Sequence, residues 1–273
     1  MILGINQTSS VKVNRFEIIK DNQVIYTADA PWGPIHLKEF HLMDAQGNMI
    51  YTTKYETAQN MVSQFLPYNY LFTGDQEFER YGVVDMGGNE VGAFYLEKTA
   101  ILKAQICLEY FGKLIVGYRR VLGTMEYVTF YDGENIVGQL TKSNRVIADN
   151  KDNYMIHFVD GYESLEAVLA FFVIYYDYRY YNNTAKAHKG VKYVYKKSYD
   201  RNIDKYDPDF IRRNFGEEET ARMDAFFEES VKKANPMNMK VFWIIFAAGW
   251  AVAIIITLIV LIATGVIWLP FIW

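Results

Sequence analysis

Basic and aromatic residues are interleaved in one segment of the chain, residues 186–205, and this combination can bind anionic lipid. The segment has seven basic residues against two acidic ones, and it contains Tyr193, Tyr195 and Tyr199. A lysine near an anionic leaflet gains about 1 kcal/mol, and aromatic rings favour the membrane interface. We therefore predict a headgroup-binding segment formed by Lys186, Lys189, Lys192, Lys196, Lys197 and Arg201. The alternative is a solvated linker or an additional edge strand, because residues 191–195 alternate apolar and polar side chains.

The other reactive residue types form no recognisable catalytic or metal-binding pattern. His36 and His41 lie five residues apart, which suits neither one face of a strand nor a helical pair of zinc ligands. Gly87 and Gly88 are not followed by the Lys and Ser/Thr of a phosphate-binding loop. We therefore expect a protein that is not an enzyme and needs no cofactor or metal. An enzyme without a recognisable motif is the remaining alternative.

The C-terminal tail, residues 241–273, is apolar enough to cross a bilayer. It contains no ionisable side chain, and a helix needs about 20 apolar residues to span the hydrocarbon core. Trp243 and Trp268 lie near its two ends, at the depth that indole rings prefer, and Lys240 precedes it. We predict a single transmembrane helix with Lys240, Trp243 and Trp268 at the interfaces. The positive charge on the N-terminal side predicts that residues 1–240 are cytoplasmic.

The N-terminal two thirds of the chain reads as a series of β-hairpins. Apolar strands run into polar turns and return within residues 16–26, 40–51, 81–96 and 127–140, where Asp, Asn and Gly supply the turn conformations. These strands indicate a large antiparallel sheet that must curl or close to protect its edges. After them, residues 165–181 lack Gly and Pro and are apolar on almost every side, which predicts a helix enclosed by protein.

This order of elements resembles the tubby-like superfamily, which includes the phospholipid scramblases and the LURP-one-related proteins. The resemblance covers residues 11–181, in which many hairpins lead through residues 152–160 into an apolar helix that ends at Tyr176 and Asp177. It implies a mainly β (α+β) fold, a closed antiparallel barrel of about twelve strands threaded by a central helix at about 163–181. Family members bind phosphoinositides or are associated with lipid movement.

The chain departs from the scramblases in ways that weaken a transfer of their activity. It lacks their proline-rich extension and cysteine cluster, and its predicted span is a separate C-terminal helix. Asp149, Asp152 and Asp160 would match the scramblase calcium segment, but their spacing does not suit a calcium loop, so we interpret them as turn and cap residues. A single span cannot by itself form a polar lipid path, so lipid transport would require oligomers.

The N-terminal part of the chain is acidic. Residues 1–185 hold 15 Lys and Arg against 22 Asp and Glu, a balance that disfavours nucleic-acid binding.

We predict three regions in the chain: a barrel over 1–181, a basic linker with an amphipathic juxtamembrane helix over 182–240, and an anchor over 241–273. In that helix, Met223, Phe226, Phe227 and Val231 share a face that packs on the barrel, on the bilayer or on another protein.

The function expected from these features is that of a membrane-anchored cytoplasmic binding or scaffold module. Its expected partners are anionic membrane lipids, another membrane protein or a second copy of itself. The alternative is a scramblase-like lipid transporter that acts as an oligomer.

The predicted topology can be tested by labelling. A Ser9→Cys variant in which Cys107 is replaced should not react with a membrane-impermeant thiol reagent in intact cells, and it should react after lysis. Labelling of intact cells would contradict the topology.

Overall fold

The structure, a computed structural model, describes most of the chain before residue 233 and part of the C-terminal tail. The described ranges are 1–10, 13–31, 39–56, 76–100, 103–122, 125–143, 151–181, 203–232, 247–252, 254–257 and residue 261. The chain divides into two compact units, Met1–Ala234 and Asn235–Trp273.

Twelve antiparallel strands form a closed barrel in the first unit. Each strand pairs with its neighbours in sequence, and β1 closes the barrel by pairing with β12, with Ile2 opposite His157 and Ile5 opposite Tyr154. Closure removes the sheet edges that would otherwise stay unpaired. The strands are β1 Ile2–Ser10, β2 Val13–Lys20, β3 Gln23–Pro31, β4 His41–Asp44, β5 Met49–Tyr55, β6 Gln76–Asp85, β7 Glu90–Ala100, β8 Lys103–Tyr110, β9 Lys113–Leu122, β10 Met125–Asp132, β11 Asn135–Ser143 and β12 Asn153–Phe158.

The predicted hairpins are confirmed, and their turns use the predicted chemistry. Asp21 and Asn22 both have positive φ between β2 and β3, which is typical of a tight hairpin turn. The β4–β5 and β6–β7 turns share one design, in which an aspartate accepts the backbone N–H of the asparagine four residues on. These bonds are 2.8 Å long from Asn48 to Asp44 and 2.9 Å long from Asn89 to Asp85.

A central helix, α1 (Glu166–Tyr180), fills the barrel, as the resemblance implies. A 3₁₀ turn, Glu163–Leu165, leads into it, and every side chain from Val168 to Tyr178 is buried. Phe171 and Phe172 contact the ring of Phe94 on β7, with ring centroids 5.8 and 5.7 Å apart. The helix is apolar all round because strands surround it on every side.

A second helix, α2 (Phe210–Lys232), follows a 3₁₀ turn at Ile203–Lys205 and packs on the outside of the barrel. Two helical stretches meet at a kink at Gly216, so the predicted helix start at Glu217 is confirmed, and a short helical stretch, residues 210–215, precedes it. Gly216 has φ 91° and ψ 171°, a conformation that glycine tolerates best. Of the predicted stripe, Met223 and Phe227 are buried in one cluster with Met155, so this face packs on the barrel.

The second unit is described only in part. Residues 247–252, 254–257 and 261 are helical, and the apolar side chains of Val252, Ile254, Ile255 and Ile256 are all more than half exposed. Within the described residues, no helix is both long and apolar enough to cross a membrane. Most of the predicted span, residues 241–273, lies outside that part of the chain.

Enclosure of α1 can be tested by placing a charge inside the barrel. Ala170 is fully buried at the middle of the helix, so Ala170→Asp should cost several kcal/mol, a large part of the roughly 5–15 kcal/mol that stabilises a typical domain. Ala225 is exposed on α2, and Ala225→Asp makes the same chemical change in water. Thermal unfolding of both variants should show a large loss only for Ala170→Asp. Equal transitions would show that α1 is not enclosed.

Candidate functional site

The residues predicted to bind membrane all lie outside the described part of the chain. The described chain does reach Tyr181, which immediately precedes the basic segment, and it resumes at Ile203. The headgroup-binding residues that fall outside it are Lys186, Lys189, Lys192, Lys196, Lys197 and Arg201, and the interface residues are Lys240, Trp243 and Trp268.

The barrel has two different ends, and α1 connects them. We call one the hairpin end, because the turns at 21–22, 45–48, 86–89, 111–112 and 133–134 all lie there in this up-and-down meander. At this end α1 begins, and Lys20 Nζ lies 2.5 Å from Glu166 Oε2. We call the other the polar end, where α1 finishes and the chain leaves the barrel at Tyr181.

At the polar end, the side chains of Arg119 and Glu126 form a two-point ion pair inside the barrel. The distances are 2.5 Å from Arg119 Nε to Glu126 Oε1 and 2.7 Å from Nη2 to Oε2. The hydroxyls of Tyr176 and Tyr181 also donate to Glu126, which is only 1% exposed. Burial by itself would raise the pKa of Glu126, but the bond and charge of Arg119 outweigh it and hold this pKa below its ordinary value.

A second buried ion pair joins Lys142 on β11 to Asp152, which directly precedes β12. Lys142 Nζ lies 2.6 Å from Asp152 Oδ1, and both side chains are 1% exposed. The ammonium also lies 3.7 Å from the ring centroid of Tyr181, close enough for a cation–π contact. The interpretation of Asp152 as a turn or cap residue is therefore wrong, because its carboxylate neutralises a buried lysine.

Asp177, in the last turn of α1, is a third carboxyl group at this end. The hydroxyl of Tyr154 donates to Asp177 Oδ1 at 2.5 Å, while Oδ2 has no hydrogen-bond partner in the described structure. Burial, and then the negative charge of Asp152, raise the pKa of Asp177 to about 7. Among the described residues, the buried groups at the polar end therefore include the pairs Arg119–Glu126 and Lys142–Asp152 and one carboxyl group, Asp177, that is largely protonated below neutral pH.

These pairs position the point where the chain leaves the barrel. Tyr181 is held by its bond to Glu126 and by its ring contact with Lys142, which lie on two different strands. Breaking a buried pair by removing one partner typically costs about 3–5 kcal/mol, so the arrangement has little freedom to shift. The described chain therefore leaves the barrel at the polar end.

Helix α2 runs along the barrel toward the same end. Its first turn lies at the hairpin end, where Asn214 and Phe215 line a cavity with Asp21 and Asp160. Farther along, Glu219 Oε1 lies 2.7 Å from His157 Nε2, and Met125, which begins β10 at the polar end, packs against the cluster that contains Met223 and Phe227. Burial lowers the pKa of His157, although Glu219 opposes the effect.

The histidines hold structural positions where the structure describes them. His41 Nδ1 lies 2.8 Å from Asp29 Oδ1, and His157 joins the barrel to α2 through Glu219. His36 and His188 lie outside the described residues.

The sequence analysis did not identify Arg119, Glu126 or Lys142. A signal was present, because Glu126 shares the two-residue period of Val128 and Phe130, and both of those side chains are buried in the core. A charge in the inward register of a strand marks a paired group inside the barrel. Its partner could not be found from sequence, because Arg119 lies on the neighbouring strand.

Comparison of the chain with protein-family models, with curated proteins and with solved structures finds no match. The closed barrel around a helix is therefore established by the structure alone, and membership of the tubby-like superfamily stays a prediction.

The raised pKa of Asp177 predicts a pH-dependent stability. In the unfolded chain this carboxyl group ionises near pH 3.9, whereas in the folded protein it keeps its proton up to about pH 7. The folded state thus binds more protons between these values, and the parent loses stability as pH rises through them. Asp177→Asn stays neutral, so its free energy of unfolding relative to the parent should rise by roughly 2–3 kcal/mol from pH 5 to pH 8.

Urea unfolding at the two pH values measures this difference. Asp224→Asn is the matched control, because Asp224 is exposed on α2 and its replacement should leave the difference unchanged with pH. A constant difference for Asp177→Asn as well would contradict a raised pKa.

Proposed function

We propose that this protein is a membrane-tethered binding module whose polar end faces an anionic membrane surface. The observation that carries the proposal is the convergence of two chain paths on that end. Helix α1 delivers Tyr181 there, and α2 runs along the barrel in the same direction. The last described residue after α1 and the last described turn of α2 therefore lie on the same side of the barrel.

The first path supports lipid recognition by the basic segment. Lys186 follows Tyr181 by five residues, and an extended chain spans about 3.5 Å per residue, so this length of chain can bridge at most about 18 Å. A cluster of lysines at this distance can reach headgroups when the polar end faces the bilayer. The electrostatic attraction acts within about 8 Å of the surface at physiological salt, which requires such proximity.

The second path supports the tether. After α2, eight residues, 233–240, separate Lys232 from the apolar stretch 241–273. Lys240, just before this stretch, and Trp243, near its start, would lie at the first membrane interface. In the described part of this stretch, the exposed side chains of Val252, Ile254, Ile255 and Ile256 need lipid or protein to cover them. We propose that this stretch is a single transmembrane helix and that the barrel is cytoplasmic, in agreement with the lysines that precede it.

The charge of the hairpin end supports the same orientation. Exposed carboxylates there include Asp21, Glu134, Asp160 and Glu163. The two described lysines at this end, Lys20 and Lys113, already pair with Glu166 and Asp132. An acidic surface is repelled by an anionic leaflet, so the hairpin end would face away from the membrane.

Binding is favoured over transport by the packing of the barrel. Helix α1 occupies the interior, with every side chain from Val168 to Tyr176 fully buried, so a lipid could not pass through the barrel without displacing it. We propose that the chain is a tubby-like barrel of the LURP-one-related type. In this proposal the barrel binds lipid headgroups or a partner on its surface and does not transport lipid through its interior.

Vesicle binding tests the role of the basic segment. In a truncated protein ending at Ala234, Lys192, Lys196 and Lys197 should together contribute on the order of 3 kcal/mol to binding of anionic vesicles. Changing all three to Gln should remove most sedimentation with phosphatidylserine-rich vesicles, and binding by the parent should weaken in high salt.

The matched control changes Lys20, Lys54 and Lys113 to Gln, which removes the same charge from the barrel. This control should sediment like the parent. If the segment variant also sediments like the parent, the segment is a solvated linker and lipid recognition must lie elsewhere.

A further inference from the structure

An exposed phenylalanine occupies a turn position where aromatic side chains are unusual. Phe111 and Gly112 connect β8 to β9 with φ angles of 47° and 76°, the conformation in which Asn-Gly is preferred. The Phe111 side chain is also 73% exposed, although a phenylalanine is normally buried. Neither turn geometry nor core packing therefore explains a phenylalanine at this position. A residue that breaks both local rules is expected where the side chain takes part in binding.

The ring of Phe111 is held in place by its neighbours. Its centroid lies 4.6 Å from that of Tyr110, whose hydroxyl is 2.7 Å from the hydroxyl of Tyr51. The backbone N–H of Phe111 donates to the carbonyl of Val91 at 2.8 Å. The ring is thus a supported platform on the hairpin end. On the neighbouring hairpin, Met86 adds a second apolar tip that is 67% exposed.

A groove of about 220 Å³ lies beside this platform on the outer face of β6, β7 and β8. Its lining is Arg80, Glu90, Val91, Gly92, Glu109, Phe111 and Gly112. Strands β7 and β8 pack closely and form the floor of the groove, because a side chain at Gly92 would collide with the backbone of Glu109. The groove is therefore shallow, with an aromatic wall and two carboxylates at its rim.

The charges around the groove leave it negative. The guanidinium of Arg80 forms ion pairs with three carboxylates: Nε lies 2.9 Å from Glu56 Oε1, and the terminal nitrogens lie 3.6 Å from Glu90 and 3.7 Å from Glu109. These three carboxylates therefore carry more negative charge than this one guanidinium neutralises. The side chains of Glu90 and Glu109 are 48% and 40% exposed, so their oxygens can accept bonds from an incoming cation.

We propose that this groove binds a cationic peptide segment of a partner protein, with an arginine or lysine on the solvent-exposed side of Glu90 and Glu109. The aliphatic part of that side chain, or its guanidinium, packs on the ring of Phe111, and a neighbouring apolar residue covers Met86. Charge complementarity selects this occupant over an anionic membrane, which the carboxylates of the hairpin end repel. The site does not depend on the membrane contacts proposed for the polar end.

Fluorescence polarisation with the full-length protein in detergent tests this proposal. The probe is a fluorescein-labelled hexapeptide of alternating arginine and leucine, at physiological salt. The Glu90→Gln/Glu109→Gln double variant should weaken binding about tenfold, because two partly exposed charge pairs are lost. Phe111→Asn should weaken binding several-fold and should not lower the unfolding temperature, because asparagine suits the positive φ.

The matched control is the Glu17→Gln/Glu134→Gln double variant, which removes the same charge from half-buried Glu17 and exposed Glu134, both outside the groove. It should bind the probe like the parent. Equal weakening by both double variants would indicate non-specific attraction and overturn the proposal, as would absence of probe binding to the parent. Displacement of the probe by a synthetic peptide of residues 186–201 at equal or lower concentration than the unlabelled hexapeptide would assign the groove to this chain's own segment. That result would also overturn it.

Discussion

Enclosure of α1 is the constraint on which the rest of the molecule depends. A helix with Phe, Val, Ile and Tyr on all sides cannot remain exposed to water, and burying each large apolar side chain contributes about 1.5–3 kcal/mol. The twelve strands supply a complete apolar wall only when β1 pairs with β12, so helix burial and barrel closure stabilise each other. Ala170 lies at the centre of this enclosed helix, whereas Ala225 lies on the exposed surface of α2.

The closed barrel gives the protein two ends with different chemistry. At the polar end, α1 brings tyrosines and Asp177 against charged residues that point inward from the strands, and the resulting pairs hold Tyr181 in place. At the hairpin end, the turns are short, and they present carboxylates together with Met86 and Phe111 to solvent. Separation of these two surfaces along one barrel is compatible with the proposal of a tethered module that contacts a membrane at one end and a partner at the other.

Local sequence determined those elements whose turn chemistry is explicit. Three turns could be predicted from sequence: Asp21-Asn22 and the two five-residue turns that begin at Asp44 and Asp85 and contain Gly and Asn. Their Asp, Asn and Gly residues adopt the required turn conformations at low cost. The β8–β9 hairpin was not predicted, because Phe111 stands where asparagine is typical. The part of α2 after Gly216 was predicted from its Glu217–Glu219 start, whereas the short helical stretch before Gly216 was not predicted.

By itself, the sequence determined that hairpins precede an apolar helix, that this helix must be enclosed, and that the chain has a basic segment followed by an apolar tail. These properties depend on composition and on short-range periodicity, which any conformation of the chain retains. Only the tertiary structure decided that Arg119 pairs with Glu126, that Lys142 pairs with Asp152, and that Phe111 stands beside Glu90 and Glu109. Such contacts depend on strand register and barrel closure, because residues distant in sequence become neighbours only after the strands have paired.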